Sequence, residues 1–280
     1  MASEDSKSTE EDVAVYYWPL PFRGNFLKII LADAGVAFRV PPVAEVAAAI
    51  HTPVADQPLP MLALPFVRVG KFVVNQTGAA AQYLARKYGY VPETPEDGAI
   101  AAKTLLDCND VLVELSRNNG HQMWDKEAWT AFLESRLPRW LSVLEGVVTM
   151  RDGDFVFGAK ISYADLAITA LFNMFCVQLG MGAYMKKHAP STVALYERCA
   201  ARPKVAAFFE EQAKVYGETC VGVGVRACGC VSVCGCVCVC GCVCVDASHA
   251  CLVFLARISV CGGQIEKSIR AMLELGLHTV

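Results

Sequence analysis

The chain reads as a mixed α/β layer of about 80 residues followed by an all-helical bundle of about 120, with a low-complexity Cys/Val/Gly tail behind them. Three observations predict this. Strand-period and helix-period segments alternate as far as Tyr88. Strand-period segments vanish beyond the linker-like stretch Val91 to Gly98, VPETPEDG. Cysteine usage changes at Thr219, with three of the fourteen before it and eleven after.

Val13 to Trp18 is β-branched and aromatic and is stopped by Pro19 and Pro21, which predicts a short strand. Asn25 to Ala34 carries Phe26, Leu27, Ile29, Ile30 and Leu31 at helical spacing, and Gly35 suits its C-cap. Phe38 to Val40 is expected as a second strand, and Ala44 to Ile50 as a weak helix. Pro65 to Val69 and Phe72 to Val74, joined by Gly70-Lys71, predict a hairpin, and a helix follows from Gln76 to Tyr88.

In the second half Ala99 to Leu115 is one helical run. Trp129, Phe132, Leu133, Leu137, Trp140, Leu141 and Leu144 mark another, with a kink expected at Pro138. Ser162 and Asp165 have the spacing of a capping box, flanked by Ile161 and Leu166 as a hydrophobic staple. Helices over Pro190 to Ala201 and Pro203 to Tyr216 each open on a proline.

Composition bounds the function. With 54% hydrophobic and 19% charged residues the chain can bury a sizeable core, which excludes global disorder. A formal net charge of −3 gives no electrostatic reason to expect nucleic acid or an anionic membrane as partner. The first twelve residues hold five acids and one lysine, with no apolar run behind them, and read as a solvated tail. No stretch approaches the ~20 apolar residues of a membrane span, so a cytoplasmic protein is expected. Cys108, Cys176 and Cys199 read as reduced, buried thiols.

Cys220 to Val245 alternates Cys-Val, Cys-Gly and Val-Gly. One reading is a translated TG repeat, since TGT encodes Cys and GTG encodes Val. A second is a thiolate cluster for Zn or Cu(I), which valine spacers and the lack of a Lys or Ser bundle oppose. A third is functionless disorder. Residues 219–280 are expected not to form a folded domain, no metal site is assigned, and Gln264 to Leu277 fits a short amphipathic helix.

Several motifs fall in one order and spacing: Tyr17-Trp-Pro-Leu, then Arg23, then Leu31-Ala-Asp33; Leu64-Pro65; Gln76-Thr77 with AAQYLARKYG after it; Gly158 to Asp165; and Arg202-Pro203. Together they resemble the cytosolic glutathione transferases, the tyrosine-type classes sigma and pi above all, over Val13 to Tyr216. The resemblance implies a thioredoxin-like glutathione-binding domain at 13–91 and a helical domain with an electrophile pocket at 96–218. It implies transfer of the glutathione thiolate to electrophilic small molecules, with prostanoid isomerisation or hydroperoxide reduction as related outcomes. It also implies glutathione as co-substrate, a hydrophobic electrophile and a homodimer. A family member that binds without turnover is the alternative.

Residue by residue, the resemblance makes Tyr17 the donor to the glutathione sulfur, while Tyr16 should face the other side of the strand. Val13 to Ile30 contains no Ser, Thr or Cys that would replace a tyrosine. A cis Pro65 would turn the backbone of Leu64 toward the cysteinyl part of glutathione. Gln76 and Thr77, at a helix start, suit the γ-glutamyl carboxylate. Arg23 is assigned to the glycyl carboxylate and Asp110 to the glutamyl amine across a dimer. His121, Met123 and Trp124 are candidates for the electrophile pocket. Between Pro41 and Met61, where the family often places a Trp and a Lys, only His51 stands, and Arg68 and Lys71 are not at matching positions.

Overall fold

A computed structural model describes residues 11–117, 122 and 124–216. The expectations for residues 219–280, for His121 and for Met123 lie outside the described residues.

Strand β1 (Val13–Tyr16) is followed by α1 (Asn25–Ala34), then α2 (Val43–His51). Next come β2 (Phe66–Val69), β3 (Phe72–Asn75) and α3 (Thr77–Tyr88). The sheet order is β1-β2-β3, all antiparallel, with Tyr16 opposite Phe66 and Phe66 opposite Asn75. Gly35 closes α1 in the left-handed conformation, at φ 72°, that a residue without Cβ adopts freely. The strand expected at Phe38 to Val40 shrinks to one parallel bridge between Ala14 and Arg39, held by two backbone hydrogen bonds of 3.0 and 2.9 Å. Pro41 and Pro42 supply no N–H donors, so the ladder cannot extend.

The bundle begins earlier than expected. Helix α4 spans Pro95–Leu115, because the Thr94 side chain accepts from Asp97 N at 3.1 Å and Pro95 fits the first turn. The linker therefore contracts to residues 91–94. Helices α5 (Lys126–Ala131) and α6 (Leu137–Val148) flank a π-helical segment, Phe132–Arg136. Pro138 cannot donate to the preceding turn, and a π segment stands in that turn.

Helix α7 (Tyr163–Asn173) opens on the expected capping box and is buried along its whole length. Asp165 accepts from Ser162 N at 2.7 Å and also from Val156 N at 2.8 Å, which ties the preceding loop to the helix start. A second π segment (Met174–Gln178), α8 (Gly182–His188), α9 (Pro190–Ala200) and α10 (Pro203–Tyr216) complete the described chain. The main core is continuous, joining Val15, Ile29 and Leu84 of the first layer to Leu105, Leu141 and Phe172 of the bundle. A smaller cluster on the other sheet face holds Ala14, Tyr16, Val46, Met61, Phe66 and Val73.

Candidate functional site

The sheet register decides where the candidate residues meet. Tyr16, Phe66 and Asn75 are in line across three strands. Tyr17, Pro65 and Gln76 each lie one residue beyond them, at the same sheet end. Strand spacing of about 4.8 Å then sets their backbones about 10 Å apart across the outer pair. Helices α1 and α3 both start at this end, so two positive dipole ends point there, although the first N–H groups of α1 already donate to the Phe22, Arg23 and Gly24 carbonyls.

Tyr17 belongs to the main core and is 5% exposed, whereas Tyr16 lies on the opposite sheet face, as strand alternation requires. Tyr16 is committed elsewhere, donating to Glu45 Oε1 at 2.8 Å. Burial raises the Tyr17 phenol above its ordinary value; the charge, side chain and backbone of Arg23 pull it down without overcoming burial. A phenol so placed keeps its proton at neutral pH and is available as a donor.

Arg23 therefore faces Tyr17, and its Nε also donates to Asn109 Oδ1 of α4 at 3.2 Å. Asp110, the next residue, is exposed on α4. The Leu64-Pro65 bond is cis, Leu64 is half-buried and Pro65 is buried. Gln76 is exposed and has φ 64° and ψ 119°, a region that non-glycine residues rarely occupy. Thr77 is buried in the first turn of α3. Trp124 is nearly buried, donates to Leu115 O at 2.9 Å, and lines a cavity of about 350 Å³ with Phe132, Arg117 and Glu114.

The basic residues near the hairpin turn are placed away from this end. Lys71 sits at the Gly70-Lys71 turn, where Val69 pairs with Val13 and Phe72 at the opposite end of the sheet. Arg68 is engaged by Asp12 at 2.7 Å and by Gly70 O at 3.2 Å.

Three contacts at the site escaped sequence reasoning. The Tyr17 ring lies directly against Gly24. Asn109 takes the hydrogen bond from Arg23, one position from the singled-out Asp110. Asn25, at the start of α1, exchanges two amide hydrogen bonds with Gln212 of α10, at 3.1 and 2.8 Å. A turn-forming glycine and two amides carry no pattern of their own, so only Asn109's closeness to Asp110 gave any signal.

A family model described as glutathione S-transferase, C-terminal domain, matches residues 100–228. A glutathione S-transferase of Plasmodium yoelii yoelii is 24% identical over 118 residues, 42% of this chain and 54% of that protein. The chain thus spans about half the length of that relative. Hematopoietic prostaglandin D synthase of Gallus gallus is 24% identical over 156 residues, 56% of this chain and 76% of that one. Among solved structures, a pi-class glutathione S-transferase of Onchocerca volvulus superposes with a TM-score of 0.61 at 19% identity, covering 72% of this chain and 94% of that one. The motifs, the fold and these matches together make the chain similar to the cytosolic glutathione transferases, with the family-model match confined to the helical half and the tail behind it.

Proposed function

We propose that residues 13–91 bind glutathione at the end of the sheet where Tyr17, Pro65 and Gln76 align, and that the chain conjugates its thiolate to hydrophobic electrophiles. The register that brings these three residues together carries the proposal. A free thiol of pKa about 8.5 is only about 3% ionised at pH 7. Lowering it by about two units takes roughly 2.7 kcal/mol, the order of one charge-assisted hydrogen bond. The protonated Tyr17 hydroxyl supplies that bond, and the charge of Arg23 beside it favours an anionic sulfur for the same reason that it favours phenolate.

Leu64 offers its backbone to the cysteinyl part of glutathione. The start of α3, with Gln76 and Thr77, receives the γ-glutamyl carboxylate. Arg23 acts on the sulfur end in this reading, in place of the glycyl carboxylate. Residues 96–218 supply the electrophile pocket. A second copy of the chain is the proposed partner, supported by apolar side chains left half-exposed on β3 and α4, Phe72 at 49% and Leu106 at 48%. Asp110, exposed on α4, is then free to reach that copy's ligand. A cytoplasmic location fits the thiol chemistry.

Two observations favour the non-catalytic reading. Tyr17 is 5% exposed, and Lys71 at the hairpin turn lies at the end of the sheet opposite Tyr17. Ultraviolet thiolate absorbance of bound glutathione against pH decides between them, for wild type and Tyr17→Phe. A thiol pKa depressed in wild type and restored in the mutant establishes the transferase reading. Glutathione that binds with an unshifted pKa in both leaves a binding protein.

A further inference from the structure

Gly24 is a glycine for a reason its own backbone does not supply. Its φ of −60° and ψ of −23° are ordinary right-handed helical values, open to any residue. A helical backbone favours alanine over glycine, which has more freedom to lose. The reason lies across the loop. A Cβ placed on Gly24 would stand 2.6 Å from Cδ1, 2.7 Å from Cγ and 2.8 Å from Cβ of Tyr17. Those atoms are the root of the tyrosine side chain and not its free end. Rotation about the outer bond cannot relieve the clash; the whole ring must move. Tyr17 is buried in the main core, so there is little free volume into which it can move.

We propose that Gly24 is a positioning residue for Tyr17: its missing side chain lets the ring lie against the start of α1, which fixes the hydroxyl beside Arg23 at the sheet end. The inference rests on the glutathione reading of the site but adds a requirement that reading does not contain. The residue before Gly24 supplies the charge that faces the phenol, and the residue after it is locked to α10 through Gln212. The short segment 23–25 thus meets the tyrosine at its ring through Gly24 and at its hydroxyl through Arg23, and is itself anchored to α10 through Asn25.

The test combines Gly24→Ala with Tyr17→Ala in a double-mutant cycle, read first by urea midpoint and without glutathione. Gly24→Ala is expected to lower the midpoint when Tyr17 is present and to leave it unchanged or raise it when Tyr17 is alanine. A penalty of equal size in both backgrounds overturns the proposal. If Gly24→Ala alone does not fold, recovery of folding in the Tyr17→Ala background is the expected result, and continued failure to fold overturns it. The second readout is thiolate absorbance of bound glutathione near neutral pH. Gly24→Ala should reduce it at least about tenfold, as a return of the thiol to its solution pKa requires. Wild-type absorbance retained in Gly24→Ala overturns the proposal. Absence of the signal in wild type refutes the glutathione reading instead, and the stability cycle still decides the Gly24 contact.

Discussion

Arg202, between α9 and α10, grips Asp33 of α1 at two points, Nε to Oδ1 at 2.6 Å and a terminal guanidinium nitrogen to Oδ2 at 2.9 Å. Tyr90 donates to the same carboxylate at 2.7 Å, and its backbone carbonyl accepts from Tyr163 N at 3.0 Å where α7 begins. One acid buried at the end of α1 therefore joins Tyr90, which precedes the linker and meets the start of α7, to the turn between α9 and α10.

Arg202→Ala leaves the Asp33 carboxylate buried without its ion-pair partner. The expected cost is about 2–3 kcal/mol, below the usual range for a fully buried pair because water reaches the arginine side. Arg202→Lys should recover only part of it, since an ammonium cannot reproduce the two-point fork. Urea unfolding at constant m-value measures both.

Asn25 and Gln212 form a closed amide pair at 2% and 7% exposure, so each single alanine substitution strands a buried partner. Each should cost about 2 kcal/mol, and the double substitution clearly less than their sum. Strict additivity in a denaturation cycle would show that water already satisfies both amides.

Lys28 is 2% exposed, and burial lowers its ammonium from 10.5 to about 8. Between those values the folded chain binds fewer protons than the unfolded one, so this group makes stability rise with pH. Lys28→Met should exceed wild type at pH 7 by up to about 3 kcal/mol, with the gap closing above pH ~8. A gap that stays constant to pH ~10 would mean that the lysine is not held at a depressed pKa.

Glu145 of α6 caps α9, accepting from Ser191 N and Thr192 N at 2.8 Å and from the Thr192 hydroxyl at 2.6 Å. Burial raises its carboxyl, but the Thr192 hydroxyl and the two backbone N–H groups outweigh burial and hold it below the ordinary range. Its contribution is present above the unfolded pKa and is lost as pH falls through the depressed folded value. Glu145→Gln should cost about 1–2 kcal/mol at pH 7 and progressively less in acid. Thermal or urea midpoints from pH ~7 to ~3 check the convergence.

The elements that sequence reading placed well are those with local causes. Asn25–Ala34 ends where Gly35 permits a left-handed turn, and Tyr163 begins α7 where Ser162 and Asp165 can cap it. Boundaries failed where a neighbour decided them. Phe38 to Val40 has strand composition, but two prolines behind it limit the ladder to one bridge. Pro95 to Gly98 has linker composition, yet Thr94 and the bundle draw it into α4.

Apart from the strand expected at Phe38 to Val40 and the unforeseen helix Gly182–His188, the sequence by itself determined the order of elements, the two-layer architecture, the cis bond before Pro65 by resemblance, and the candidacy of Tyr17, Gln76 and Thr77. Periodicity, caps and turn residues act over a few positions, so a linear reading captures them. The tertiary structure alone decided that Arg23 turns to Tyr17 and Asn109, that Lys71 is at the far end of the sheet, and that Gly24 carries the tyrosine ring. Those facts depend on strand register and on the close approach of segments distant in sequence, such as Asn25 and Gln212, 187 positions apart. Packing selects such contacts by shape and by unmet hydrogen bonds, neither of which exists until the chain has folded.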